Sequence, residues 1–276
     1  MRTALLQITS TDDPVANLDM VCGQVEDAVR QGAKFVLTPE VTNCLSTSTT
    51  HQRAVLQHEE DDRMLAALRQ QAAALNIWLL VGSLALKTHD SDGRFANRSF
   101  LIGPDGEVVA RYDKIHMFDV QVSETETYRE SSNYRPGTRA VTAKMPFGTL
   151  GLSICYDLRF PHLYAALAQA GAQVLTVPAA FSPVTGAAHW QPLLRARAIE
   201  TGCYVLAPCQ TGTHPTSRGR QRTTHGHSLA ISPWGEVLID AGTEPGIHIF
   251  DLDVTSVTEA RRKVPSLTHL RHFDGP

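Results

Sequence analysis

One order of elements is written twice along this chain, and that repetition limits the folds open to it. Near-continuous apolar runs at residues 3–8, 34–38 and 77–83 alternate with amphipathic stretches at 14–31 and 59–76. Such runs suit strands buried on both faces, and the amphipathic stretches suit helices that cover them. A hairpin follows, with strands 96–102 and 107–112 joined by a Pro104-Asp105-Gly106 turn. The second half replays this order with strands at 149–154, 172–177 and 203–208, helices at 159–170 and 186–201, and a second hairpin. That hairpin pairs 226–232 with 236–240 across Pro233-Trp234-Gly235. Each half therefore predicts a mixed sheet with helices on one face. Two such sheets must cover each other's remaining face, so the expected fold is α/β, a four-layer α-β-β-α sandwich. No linker or low-complexity tract interrupts the 276 residues, which are read as one domain, 1–276.

Composition narrows the function classes. A net charge of −3 and the lack of a long basic block argue against a nucleic-acid surface. The opening MRTALLQITSTDD is unlike a secretory signal, and no 18-residue apolar run is present to span a membrane. The five cysteines (Cys22, Cys44, Cys155, Cys203, Cys209) contain no CxxC pair, which points to a reduced, cytoplasmic protein. His225 and His227 fall at i, i+2 in an expected strand, but no HExxH accompanies them, so no metal is expected. No glycine-rich phosphate loop is present, and no cofactor is expected. The irregular segments 120–139 and 210–224 are long enough to be read as functional loops.

Three residues stand at element ends where chemistry gathers. Glu40 follows a buried strand and Pro39, Cys155 ends the strand of the second half, and Lys114 follows the first hairpin. In open α/β sheets, sites collect at the carboxyl ends of strands. A carboxylate can take a thiol's proton, and a cation can hold the charge that develops on a carbonyl oxygen. Singly, each has an ordinary reading: a solvated loop carboxylate, a surface amine, a small apolar core residue.

Five motifs run in order over nearly the whole chain: TPE at 38–40, YDKIHMFD at 112–119, CYDLRFP at 155–161, TGAAHWQPLLRARAIE at 185–200 and HGHSLAISPWGEV at 225–237. With these the chain resembles the nitrilase, or carbon–nitrogen hydrolase, superfamily. The resemblance implies a catalytic Glu40, Lys114 and Cys155, with Glu130 matching a further glutamate that orients Lys114 or water. It implies amide hydrolysis through a thioester, with Lys114 and the Tyr156 N–H holding the oxyanion. Phe118, Phe181, Thr185 and His189 lie on the matched segments and are expected to line the pocket, with ordinary core packing as the alternative for Phe181 and for Trp190. Arg159, beside the nucleophile, is a candidate for a substrate carboxylate, with pairing to Asp157 as its alternative.

Within the superfamily the similarity is greatest to amidases of α-keto-acid amides, the deaminated-glutathione branch ahead of the sister ω-amidase branch. The former releases cysteinylglycine, which carries its own carboxylate, and His214, Arg218, Arg220 and Arg222 form an expected cationic patch on a loop. Other superfamily amidases and carbamoylases remain alternatives. Nitrilases proper are disfavoured because Cys155-Tyr156-Asp157 replaces their Cys-Trp-Glu, and a non-catalytic binding module is a distant alternative. The expected partners are a small-molecule amide and a second copy of the chain, since family members commonly pair into eight-layer dimers.

Overall fold

The structure, a computed structural model, describes residues 1–122, 124, 127–269 and 271–275. Its first half runs β1 (Arg2–Gln7), α1 (Pro14–Arg30), β2 (Phe35–Leu37), α2 (Thr49–Val55), α3 (Arg63–Leu75), β3 (Trp78–Leu86), β4 (Ala96–Ile102) and β5 (Val108–Asp113). Two short strands follow, β6 (Asp119–Gln121) and β7 (Thr127–Arg129). The second half runs β8 (Val141–Met145), β9 (Gly148–Leu152), α4 (Pro161–Gln169), β10 (Val174–Thr176), α5 (Pro183–Thr201) and β11 (Tyr204–Ala207). It closes with β12 (Thr211–His214), β13 (Arg222–His225), β14 (Leu229–Ile231), β15 (Val237–Asp240), β16 (Gly246–Asp251) and α6 (Thr255–Lys263).

Two six-stranded sheets carry the repeat. The first has the order β16-β1-β2-β3-β4-β5 and the second β15-β14-β11-β10-β9-β8. In each, three central strands are parallel and the flanking strands antiparallel. The side-chain alternation of a strand then separates two faces. On the first sheet Leu5, Leu37, Leu80 and Leu101 pack toward Leu150, Leu152 and Val174 of the second. Their neighbours Ala4, Leu6, Val36 and Leu79 pack instead against Val21 and Val25 of α1 and Leu65 and Leu68 of α3. Leu163 and Leu167 of α4 and Trp190 and Leu194 of α5 cover the second sheet. The four layers expected from the double pattern are present.

Local chemistry sets several boundaries. The Asp62 side chain accepts the Leu65 N–H at 2.8 Å and caps α3, so that helix starts at Arg63 rather than at 59. Helix α2, in a segment to which the sequence pattern assigns no element, starts where Ser48 accepts the His51 N–H. The edge strands β8 and β16 were not expected, because half-exposed residues blunt their apolar signal. Segment 210–224 is not an open loop: β12 and β13 pair antiparallel from Thr211↔His225 to His214↔Arg222. His225 ends β13, and His227 sits at φ 54° in the turn before β14, so the two histidines do not share one strand. No helix among the described residues is long and apolar enough to cross a membrane.

The parallel strands aim their carboxyl ends at one place. Thr211 N donates to Ile8 O at 2.9 Å, tying the end of β1 to the segment after β11. The Gln210 amide donates to Glu40 O at 3.0 Å. Gly82 makes the close approach possible, since a Cβ there would lie 2.0 Å from Thr38 O and 2.6 Å from Pro178 Cβ.

Candidate active site

Glu40, Lys114 and Cys155 converge between the sheets, each less than 10% exposed. Glu40 Oε1 accepts from Lys114 Nζ at 2.9 Å and from Asn97 Nδ2 at 2.9 Å, while Oε2 accepts the Ala180 N–H at 2.8 Å. The buried Cys155 thiol lies close enough to Glu40 that each shifts the other's protonation. Lys114 Nζ also meets both oxygens of Glu130, at 2.9 and 2.8 Å, and Glu130 Oε2 accepts the Phe118 N–H at 2.7 Å.

The nucleophile's turn is held from behind. Cys155 has φ 48°, a left-handed conformation uncommon outside glycine, and its N–H donates to Pro178 O at 3.0 Å. A 3-10 turn over Cys155–Arg159 follows, so α4 begins at Pro161 rather than at 159. Asp157, fully buried, pins this turn. Its Oδ2 accepts the Ile154 N–H at 2.9 Å and the Tyr112 hydroxyl at 2.6 Å. Its Oδ1 accepts from His116 N at 2.9 Å and is 2.7 Å from His116 Nδ1. Those bonds occupy Asp157, and Arg159 does not pair with it.

Electrostatics assigns the protons. Burial alone would push the Glu40 carboxyl up, but the charges of Lys114 and Arg222 and the bonds from Lys114 and Cys155 outweigh it and hold it below the usual range. Burial, then the charge of Glu40, pushes the Cys155 thiol well up, against the pull of Lys114. Burial would lower Lys114, yet Glu130 and Glu40 hold it well above the ordinary amine value. The resting arrangement is a neutral thiol next to a carboxylate and an ammonium. A proton moving from sulfur to Glu40 would leave a thiolate facing Lys114.

These groups face a cavity of about 550 Å³, also lined by Phe118, Tyr156, Phe181 and Thr185. Arg159 and His189 do not line it. Arg159 Nη2 lies 3.3 Å from His189 Nδ1, and the guanidinium stacks over the rings of Tyr156 and Phe181, behind the aromatic wall. Of the expected cationic patch, Arg220 and Arg222 line the cavity and the exposed Arg218 does not. His214 is not a surface cation. It is buried between Ser10 O at 2.8 Å and Thr224 Oγ1 at 2.7 Å, and burial lowers its pKa to about 4.

Sequence reasoning missed Asn97, one of three consecutive polar residues (Asn97, Arg98, Ser99) in its strand and not distinguished from them by pattern, and Tyr128 and Tyr134 on the cavity wall. Among the described residues, four polar atoms on the lining are buried without a hydrogen-bond partner: Asn97 Oδ1, Ser182 Oγ, Thr185 Oγ1 and Arg222 Nε. Potential metal ligands gather elsewhere. His58, Glu60 and His89 lie together, but the two imidazoles stack at 4.2 Å and 5°, which sets their lone pairs side by side rather than convergent. His225 and His227 stack at 4.7 Å, and His227 Nδ1 is 2.8 Å from Asp240 Oδ1.

A family model described as carbon-nitrogen hydrolase matches residues 2–262. The chain is 41% identical over 269 residues to the deaminated glutathione amidase of Synechocystis sp., covering 96% of each chain. Its fold is similar to the crystal structure of the C. elegans NitFhit protein, with a TM-score of 0.88 and 34% identity over 98% of this chain, which spans 65% of that longer one. It is also similar to an amidase from Nesterenkonia sp. AN1, at a TM-score of 0.77 and 27% identity, over 96% of this chain and 98% of that one. That amidase was captured with acrylamide added to its active-site cysteine. The chain belongs to the carbon–nitrogen hydrolase family and is an amidase of the nitrilase superfamily.

Proposed function

We propose that Cys155 is the nucleophile of an amidase acting on an α-keto-acid amide, foremost deaminated glutathione. The observation that carries the chemistry is one buried cluster: the Cys155 thiol beside Glu40, with Lys114 held between Glu40 and Glu130. Glu40 takes the Cys155 proton as sulfur bonds to the amide carbon, and Lys114 with the Tyr156 N–H holds the oxyanion. Protonated Glu40 gives that proton to the departing amine as the C–N bond breaks, leaving a thioester. Glu40 next accepts a proton from water, whose oxygen bonds to the acyl carbon. The C–S bond breaks, and sulfur recovers the proton from Glu40. Glu130 fixes Lys114, and Phe118, Phe181 and Thr185 shape the cavity.

The name of the Synechocystis relative supports the substrate, as do two arginines on the cavity wall. The proposed setting is the cytoplasm, supported by five unpaired cysteines. The proposed working form is a homodimer. Incubating the pure protein with deaminated glutathione and with 2-oxoglutaramate tests the reading, following 2-oxoglutarate release. A higher kcat/KM is expected for deaminated glutathione, and no turnover for Cys155→Ala or Lys114→Ala. Faster hydrolysis of 2-oxoglutaramate would move the assignment to an ω-amidase. Near-normal turnover in either variant would sink the mechanism.

A further inference from the structure

Helix α5 begins at the cavity, and its start is left open. Ser182 stands at the N-cap but makes no side-chain cap bond, although this residue type ordinarily accepts an N–H of the first turn. Its hydroxyl is instead buried without a partner on a residue only 2% exposed. The Thr185 hydroxyl, in the first turn, is also buried and unpartnered, and both residues line the cavity. Arg222 of β13 lines the same cavity. Its Nη2 donates to Ala180 O, its guanidinium lies 5.6 Å over the Tyr128 ring, and its buried Nε has no partner. Arg222 makes no salt bridge among the described residues.

A helix N-terminus, two unsatisfied hydroxyls and an arginine with an open donor are the components of a carboxylate site. Glu40 and Glu130 do not fill it, and Glu124, the third acid on the wall, makes no salt bridge with Arg222 among the described residues. Both oxygens of Glu40 are occupied by Lys114, Asn97 and Ala180, and both oxygens of Glu130 by Lys114 and Phe118. We propose that Arg222, Ser182, Thr185 and the N-terminus of α5 form the subsite that binds a substrate carboxylate, the role the sequence had suggested for Arg159. This rests on the amidase reading for the identity of the ligand. Two carboxylates of deaminated glutathione have the required chemistry, that of the keto-acid end and that of the departing dipeptide.

The test reads binding rather than turnover. Alkylation of Cys155 by iodoacetamide is followed by intact-protein mass spectrometry with increasing 2-oxoglutarate or alanylglycine, which stand for the two ends. In the wild-type protein at least one of them slows alkylation. Arg222→Gln is expected to raise its half-protecting concentration by ~10- to 100-fold, the range for losing a charge-assisted hydrogen bond. Arg222→Lys should recover part of that loss. Thr185→Val, which leaves the Arg222–Ala180 contact in place, should raise it by a few-fold. The protectant whose concentration moves identifies the end that binds here. Each curve is normalised to the same variant's unprotected rate, and thermal melts confirm folding. Lack of protection in the wild type, or equal protection in wild type and Arg222→Gln, overturns the subsite. If carboxylates protect through Arg222 but no keto-acid amide is hydrolysed, the subsite stands and the substrate assignment falls.

Discussion

Lys114 and Glu130 meet through a fork, with one ammonium nitrogen 2.9 and 2.8 Å from the two carboxylate oxygens. The same nitrogen reaches only one oxygen of Glu40, whose second oxygen is held by the Ala180 N–H. Lys114 is therefore anchored on Glu130 and shared with Glu40. That division leaves Glu40 able to receive a proton while the ammonium keeps its place.

Glu130→Gln keeps the size of the side chain and removes its charge. Lys114 would then be drawn toward Glu40 alone, away from where the oxyanion forms. A displacement of about 1 Å at a reacting centre can cost ~10²-fold. The expected outcome is a kcat lower by about that factor with a small change in KM, measured on whichever amide the wild type hydrolyses best. A rise in KM with unchanged kcat would instead make Glu130 a substrate contact.

Backbone strain at the nucleophile gives a second expectation. Cys155 sits at φ 48°, where a non-glycine residue costs roughly 1–2 kcal/mol. Alanine at this position keeps that cost and glycine relieves it. Cys155→Gly should therefore unfold at higher urea than Cys155→Ala, by about 1 kcal/mol, the reverse of their usual order in regular structure. Both variants should be inactive. Equal or inverted stabilities would show that the turn relaxes around alanine.

Much of this architecture was legible because burial on both faces writes continuous apolar runs, as in residues 77–83 and 203–208. The ends of β2 and β9 placed Glu40 and Cys155 for the same reason. Edge strands were harder to read: in β16, Gly246 and His248 break the pattern because that strand is half-exposed. The cavity wall was hardest, since it depends on which loops fold back. Arg159 and Arg222 look alike as sequence, one beside the nucleophile and one 67 positions away by number. Only the pairing of β12 with β13 brings Arg222 to the cavity, while the 3-10 turn after Cys155 carries Arg159 behind Tyr156 and Phe181.

His214 gives a pH expectation with a definite sign. Its pKa is lowered to about 4 by burial, against an ordinary value of 6.5. Between those values the unfolded chain binds the extra proton and the folded chain does not, so stability rises with pH across that window. The contribution is fully present above about pH 6.5 and is lost as pH falls toward 4, amounting to ~3 kcal/mol. His214→Gln should flatten that part of the stability profile in urea melts between pH 4 and 7. An unchanged slope would assign the acid sensitivity elsewhere.

The proposed dimer has a physical candidate on the outer face of α5. Leu194 and Ala198 on that helix are buried, whereas Ile199 is 55% exposed and lies against Gly235 in the β14–β15 turn. Next to it Trp234 is 55% exposed, its ring 5.6 Å from the Lys263 ammonium, and the exposed Val264 follows. Large apolar side chains exposed together on one face are costly in water and mark a contact surface. The wild type is expected to sediment at twice the 30.2 kDa chain mass. Ile199→Glu adds a charge that a dry interface would have to bury unpaired, and should shift the equilibrium to monomer at micromolar concentration. Because Ile199 points away from the sheet, its circular dichroism spectrum should match that of the wild type. A dimer of undiminished affinity in this variant would move the interface off this face.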